Sequence, residues 1–420
     1  MIDVSATVIS TTQAPDESRL GSMPALIARA ENRAIDSIGS DRQPVLLYVV
    51  NVAWFFCLHR MHLARAARAA GYSVHVATAP DQLEHVEQIK AEGLTFHQLD
   101  LRRGQWSLLE EFRLAESLRT LYREIRPDIV HHVTIKPILC GTLAARLSSV
   151  PAVVNSVSGL GYIFTATDKW APFRRFAVEL SYKLLFSRAA IRIIFENSDD
   201  LEMFVERRIV RRHQATLIRG VGVDLQRFRS DSPRTAIPLI VLPARMLWDK
   251  GVREFCSAAA IVQAWGLQAR FALVGGLDSE NPAAVPESWL SEQGKSGVVE
   301  WWGWRKDMVS VYASAHVVCL PSYREGLPTV LLEAAACGCA LVATDVPGCR
   351  EVVRDGYTGL SVPARDAMAL ARALRVVILD PALRERLGRA AHALVAAEFS
   401  MEYVANSTAQ VYRELLVSSR

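Results

Sequence analysis

From residue 44 onward, short apolar runs alternate with amphipathic stretches of helical length, and this rhythm restricts the chain to very few folds. The first set of runs reads PVLLYVV (44–50), SVHVAT, LTFHQL, DIVHHV, AVVNSV, IRIIF and ATLIRG. A strand covered on both faces reads as an unbroken apolar run, and two such strands lie parallel only when about a dozen or more residues cross between them. The runs therefore predict β-α-β units wound into a mostly parallel sheet with helices on both faces. After the polar link DLQRFRSDSPRTA (224–236) the rhythm restarts with IPLIVLPA, ARFALVGG, GVVEWWG, HVVCLPS, CALVATD and GLSVPA, which predicts a second sheet of the same kind. Helical stretches over 381–397 and 400–417 close the chain, the second opened by Ser400 in an N-cap position. The expected organisation is an arm over 1–43, α/β domains over 44–223 and 237–399, and a terminal helix over 400–420. Two such sheets facing each other leave a cleft at the carboxyl ends of their strands, where open α/β sheets bind ligands.

A chain of 420 residues fits two cores, and with half its residues hydrophobic it has the apolar material for both. No apolar run reaches the roughly 18 to 20 residues of a spanning helix, and the opening MIDVSATVISTTQAPDESRL lacks the regions of a signal peptide. A cytoplasmic protein with a mobile arm over 1–43 is the expectation. Seven cysteines, at 57, 140, 256, 319, 337, 339 and 349, occur mostly inside apolar stretches without C-x-x-C spacing, and read as reduced thiols. Cys337 and Cys339 read as small buried residues at a helix end rather than metal ligands. The net charge of +4 is unevenly spread: residues 101–220 hold 19 Lys+Arg against 12 Asp+Glu, a surplus of 7. Such a basic half implies an anionic partner. No nucleic-acid motif accompanies it, so an anionic membrane surface is expected and nucleic acid is not.

The richest chemistry lies in PSYREGLPTVLLEAAACG (321–338), where Glu325 and Glu333 stand either side of Gly-Leu-Pro. Pro328 suits the first position of a helix, where a missing N–H costs nothing, and Gly338 suits its end. Glu325 then precedes the helix and Glu333 sits about 7 to 8 Å along it. Between them, the free amides of Gly326, Leu327 and the first turn form an anion site backed by the helix dipole. A diphosphate fits there, with hydroxyls on either side donating to the two carboxylates, and a nucleotide sugar is such a molecule. The bland alternative is a helix-stabilising Glu325 and a solvent-facing Glu333. Arg245 and Lys250, in ARMLWDKG after the strand LIVLPA, aim positive charge at the same cleft. These cations could stand in for a metal, and no Asp-x-Asp pair occurs.

Together these segments resemble the family 4 retaining glycosyltransferases of GT-B fold. The resemblance rests on ARMLWDKGVREF, LVGG, VVEWWGWRKDM and PSYREGLPTVLLEAAACGCALVATDVPGCREVV, spans nearly all of 237–400, and extends to GVGVDLQRF (220–228). The first of these is similar to bacterial enzymes that extend sugars linked to undecaprenyl diphosphate. The resemblance implies two Rossmann-like domains facing across a cleft, with the terminal helix crossing back to the first. It implies donor diphosphate on Arg245 and Lys250, the transferred sugar on Glu325 and the ribose on Glu333. The amides of Gly326 and Leu327 would lie against phosphate and sugar, with Gly275 and Arg305 also on the donor side. WWGWRKD (301–307) would line the base pocket, its tryptophans serving as core or as stacking residues.

The first half matches less closely. Relatives carry His-x-His at the end of the fourth strand, and here His131 and Lys136 align but the second histidine position is Val133, which leaves His132 without an assigned role. His59 or Arg60 in WFFCLHR is expected to meet the acceptor's phosphate, and SGLGYIF (158–164) to shape the acceptor site. The implied reaction moves a hexosyl or N-acetylhexosaminyl group, with retention and without metal or other cofactor, from a UDP-linked donor to a lipid-linked saccharide. The enzyme would sit peripherally at the inner face of the membrane. A nucleotide-sugar 2-epimerase and a non-catalytic sugar-nucleotide-binding partner remain the alternatives. Aromatic and basic residues mixed over 161–188 fit an interfacial helix or a core helix with a solvated basic face.

Overall fold

The computed structural model describes residues 42–101, 107–158, 171–187, 190–230, 234–279 and 281–418. The first sheet holds β1 (Val45–Val50), β2 (Ser73–Thr78), β3 (Thr95–Gln98), β4 (Ile129–Val133), β5 (Ala152–Val157), β6 (Ile191–Phe195) and β7 (Ala215–Leu217). Its order is β3-β2-β1-β4-β5-β6-β7 and every pairing is parallel. The second sheet holds β8 (Leu239–Pro243), β9 (Arg270–Val274), β10 (Glu300–Trp301), β11 (Val317–Leu320), β12 (Ala340–Thr344) and β13 (Gly359–Val362), in the order β10-β9-β8-β11-β12-β13 and again parallel. Each apolar run of the sequence became a strand because helices cover both sheet faces; β4, β5, β8 and β12 are buried along their whole length.

In both sheets the winding direction reverses beside the first strand, between β1 and β4 and between β8 and β11. Loops leaving such a pair diverge and open a crevice. The loops after β8 and β11 carry Arg245, Lys250 and Glu325; the helix Ala53–His59 that follows β1 carries Phe55 and His59, Glu196 directly follows β6, and all of these line one cleft. The two expected cores are present, and the helix Met401–Ser418 crosses back to the first: Val404, Val411, Tyr412, Leu415 and Leu416 pack with Tyr48, Val76 and Val154. Ser400 opens this helix as an N-cap, its Oγ accepting from Tyr403 N–H at 3.1 Å. Residues 1–41 of the expected arm lie outside the described residues, and Arg42 pairs with Asp128 at 2.8 Å. The helix after Glu325 spans Thr329–Ala336, so Pro328 takes the flanking N-cap position with extended backbone (φ −77°, ψ 105°) instead of the first helical one.

The chain passes between the domains twice, and the two passages lie side by side. Val223 N–H donates to Phe399 C=O at 2.9 Å, and Met401 N–H to Val223 C=O at 3.1 Å. Gly222 makes this approach feasible: its φ is +79°, and a Cβ there would lie 2.7 Å from Met401 Cα. Gly266 has a similar φ of +74° with nothing within 4 Å of its Cβ position. Left-handed φ alone costs an L side chain about 1 kcal/mol. Gly222→Ala is therefore expected to lower the thermal midpoint clearly more than Gly266→Ala, because only the former adds a backbone clash; equal midpoints by calorimetry would remove the close passage as a constraint.

Candidate active site

Lys250 ends the 3-10 turn Trp248–Lys250, and Gly251 follows at φ +72°. A Cβ on Gly251 would sit 2.2 Å from the carbonyl oxygen of Pro321, so the loops after β8 and β11 touch backbone to backbone. That contact brings Lys250 Nζ within 2.7 and 2.9 Å of the two oxygens of Glu325, both side chains being mostly buried. Arg245 lines the same cleft with its guanidinium exposed and paired with Asp278 at 2.5 Å. The cleft has a volume of about 360 Å³.

The Gly326–Leu327 peptide is pinned from three sides. Asn197, on the first domain, donates its amide N–H to Gly326 C=O at 2.8 Å. A Cβ on Gly348 would lie 2.3 Å from that carbonyl, and one on Gly220 would lie 2.2 Å from Leu327 Cδ2. Since the Leu327 N–H belongs to the same planar unit and points opposite to the Gly326 C=O, Asn197 fixes its direction away from the first-domain partner. Glu333 accepts from Tyr312 O–H at 2.8 Å. Burial pushes its carboxyl up to about 7, while the Tyr312 bond and nearby Arg227 act in the other direction.

Gly275 belongs to the frame. Its Cβ would fall 1.7 Å from Ala244 C=O, its N–H donates to Gly303 C=O at 2.9 Å and its C=O accepts from Trp301 Nε1 at 3.3 Å. The three tryptophans divide. Trp301 and Trp302 are half-buried and hydrogen-bonded, Trp302 to Glu300 at 2.8 Å, while Trp304 is 71% exposed beside Gly276. Arg305 is exposed, its guanidinium 6.0 Å from the Trp302 ring centroid.

On the first domain only His59, among the four residues expected at the acceptor, lines the cleft. Its ring packs on Phe55 at 4.6 Å, and burial with the charge of Arg60 lowers its pKa to about 4. Arg60 is 2% exposed and paired with Glu196 at 3.1 Å, which turns its charge away from solvent. His131 is fully buried, bonded through Nδ1 to Tyr412 Oη and through Nε2 to Ser156 Oγ, both at 2.6 Å. Lys136 pairs with Glu111 at 2.9 Å outside the cleft lining. His132 is buried between Tyr122 (2.9 Å) and Asn155 (2.8 Å), and Val133 joins the apolar core. The loop SGLGYIF lies outside the described residues beyond Ser158, which lines the cleft. Sequence reasoning missed Glu196, Asn197 and Gly348; the first two directly follow a strand's carboxyl end, which is the signal that could have found them. Among the described residues, no group of three or more His, Cys, Asp or Glu is placed to hold a metal ion.

Two Rossmann-like parallel-sheet domains facing across a cleft are the GT-B fold. Family models described as glycosyl transferases group 1 and glycosyl transferase 4-like match residues 237–380 and 45–197. The chain therefore belongs to these glycosyltransferases. The Campylobacter jejuni N,N'-diacetylbacillosaminyl-diphospho-undecaprenol alpha-1,3-N-acetylgalactosaminyltransferase is 29% identical over 369 residues, covering 85% of this chain and 94% of the relative. The Escherichia coli UDP-Gal:alpha-D-GlcNAc-diphosphoundecaprenol alpha-1,3-galactosyltransferase is 26% identical, covering 66% and 73%. Among solved structures, the sucrose-phosphate synthase of Thermosynechococcus elongatus superposes with a TM-score of 0.72 at 22% identity, covering 90% of this chain and all of the other.

The raised carboxyl of Glu333 carries a stability consequence. Its folded pKa lies above the ordinary value, so between about 4.5 and 7 the folded protein keeps a proton that the unfolded chain has released. Stability from this group falls as pH rises through that window and levels off above it. Glu333→Gln is thus expected to raise the thermal midpoint more at about pH 8 than at about pH 5; a pH-independent difference would show that the carboxyl is not strained by burial.

Proposed function

We propose that this glycosyltransferase moves a hexosyl or N-acetylhexosaminyl group, with retention, from a UDP-linked sugar to a saccharide on polyprenyl diphosphate during polysaccharide or glycan assembly. The observation that carries the reading is the Lys250–Glu325 pair at the mouth of a helix N-terminus inside the inter-domain cleft. A donor diphosphate offers Lys250 a new anionic partner and frees Glu325 to accept from a sugar hydroxyl. Arg245, Lys250 and the helix end then oppose the negative charge that builds on the leaving diphosphate, where fixed charge is most effective. Gly326 and Leu327 supply amides, Glu333 the ribose contact, and exposed Trp304 with Arg305 the base side. The two undecaprenol-linked relatives support the acceptor class, and the galactosyltransferase supports UDP.

The test is a panel of UDP-sugars against a polyprenyl-diphosphate-linked monosaccharide, with products read by mass. Transfer is expected to persist in EDTA, because protein cations supply the charge. Lys250→Ala and Glu325→Ala should each reduce turnover at least about tenfold, roughly 1.4 kcal/mol of transition-state stabilisation, in folded protein. Activity abolished by EDTA and restored by magnesium or manganese would count against the cation assignment, as would normal rates in both variants.

A lipid-linked acceptor keeps its reactive end at the bilayer surface, and the first domain carries a face suited to it. On the helix Ala171–Leu185, Phe173 and Phe176 (68% and 63% exposed) align with exposed Leu180 and Leu184 at spacings that form one stripe. The helices Leu108–Ile125 and Ile135–Leu147, in series beside it, expose Leu109, Phe112, Leu143 and Leu147. Lys183 is exposed on the same helix. Apolar residues facing water beside basic ones favour the interfacial reading over the core one. Among the described residues no helix is long and apolar enough to cross a membrane. Binding to anionic vesicles is expected, weakening with salt, and Phe173→Ser with Phe176→Ser should reduce it severalfold and lower activity on a lipid-linked acceptor more than on a soluble analogue. Equal losses on both acceptors would make the stripe a fold element only.

A further inference from the structure

The wall of the cleft built by the first domain has an unexpected chemistry. Phe55 and His59 set two rings 4.6 Å apart on the helix Ala53–His59, and Glu196 and Ser158 stand at the ends of β6 and β5. Neither nearby cation gives this wall a positive face. Arg60 is buried with its guanidinium on Glu196, and His59 is neutral near pH 7 because burial and Arg60 hold its pKa at about 4. A diphosphate would find no free charge on these groups.

We infer that this wall is a sugar subsite, in which Glu196 takes hydrogen bonds from hydroxyls of the acceptor saccharide while Phe55 and His59 meet its C–H face. An ionised carboxylate is acceptor-only and forms its strongest bonds with O–H and N–H donors, so vicinal sugar hydroxyls suit it. Burial raises the Glu196 pKa, with Arg60 opposing the shift; a hydroxyl donor would relieve the desolvation in the same way. Arg60 is the positioning residue. Its Nη2 donates to Glu196 at 3.1 Å and its Nη1 to the carbonyl of His59 at 3.2 Å, so one side chain ties the carboxylate to the helix that carries the rings. Across the cleft stand Lys250 and Glu325, so a hydroxyl held by Glu196 faces the side where the donor sugar is placed. The inference rests on the transferase reading and changes its acceptor end: this wall holds the sugar ring, and the acceptor diphosphate must be met elsewhere.

The experiment measures acceptor KM with a short-chain polyprenyl-diphosphate N-acetylhexosamine and donor dissociation constant by calorimetry without acceptor. Glu196→Gln should raise acceptor KM at least about tenfold and leave the donor constant within about twofold. Removing one partner of a buried pair can unfold a protein, whereas removing both charges with similar volume is tolerated. Arg60→Met with Glu196→Gln is therefore the second variant, expected to keep the acceptor defect at a near-normal thermal midpoint; Phe55→Leu, which leaves the pair intact, should weaken acceptor several-fold. The same penalties should appear with an alkyl glycoside that lacks the diphosphate. Acceptor KM within about threefold of wild type in the folded variants, equal loss of donor and acceptor affinity, or a defect confined to the diphosphate-bearing acceptor would each overturn the subsite. A wild-type protein that transfers to no acceptor would overturn the transferase reading beneath it.

Discussion

The contact of Gly251 with the Pro321 carbonyl sets the distance between the two loops that leave the reversal point of the second sheet. Everything on that side of the cleft follows from it. With the loops touching, Lys250 and Glu325 neutralise each other, and neither mostly buried charge stands alone. A ligand that replaces this pair has to bring an anion for the lysine and donors for the carboxylate at once, and a sugar diphosphate brings both. In the proposed donor site the resting pair is thus a filter on ligand chemistry as well as a way of storing two charges.

The first domain reaches into this arrangement through one short segment after β6. Glu196 lines the cleft, Asn197 holds Gly326, Ser198 donates through N–H and Oγ to Glu351, and Asp199 and Asp200 pair with Arg350 and Arg324. Asn197 also caps the helix Ser198–Glu206, so the strand end, the helix start and the domain interface share one side chain. Arg219 adds a second tie to Glu351. Consecutive residues therefore couple the proposed acceptor wall to the proposed donor loop, and a domain movement that disturbs one disturbs the other.

The two sheets were legible because strands buried on both faces need unbroken apolar runs, and all thirteen strands among the described residues fall within runs visible in the chain. The gathering of Arg245, Lys250 and Glu325 at one cleft was legible because they lie within two continuous stretches leaving strand ends. Of the first-domain residues expected there, only His59 was. Local sequence marks Arg60, His131 and Lys136 as polar residues near strand ends, but their orientation depends on distant partners. His131 is claimed by Tyr412, 281 residues away on the returning helix, and Arg60 by Glu196, 136 residues away. Where the resemblance implies a second histidine, Val133 fills core space, and His132 on the opposite face is satisfied by Tyr122 and Asn155. The tryptophans of WWGW show the same limit, since one sequence stretch yields two frame residues and one exposed ring.

Four carboxylates near the domain interface show how burial sorts into structure and chemistry. Burial pushes Glu351 up, but the bonds from Ser198 and Arg219 outweigh it and hold the group below its ordinary value. Glu351 is consequently a fixed anion serving as a cap supplied from the other domain, and that makes it a structural group. Burial dominates at Glu196, Asp200 and Glu333, and their carboxyls are raised despite their partners. Asp200 has Asn197 and Arg324 bonded to it and does not line the cleft, so its perturbation belongs to the interface. A perturbed group is a functional candidate only where a ligand can complete its bonding. Of the three, Glu196 alone lines the cavity, and Glu333 sits on the helix whose N-terminus faces it. The two raised carboxyls thus sit one in the cleft wall and one on the helix behind its other side, and in the proposed reaction hydroxyl-rich ligands would complete their bonding.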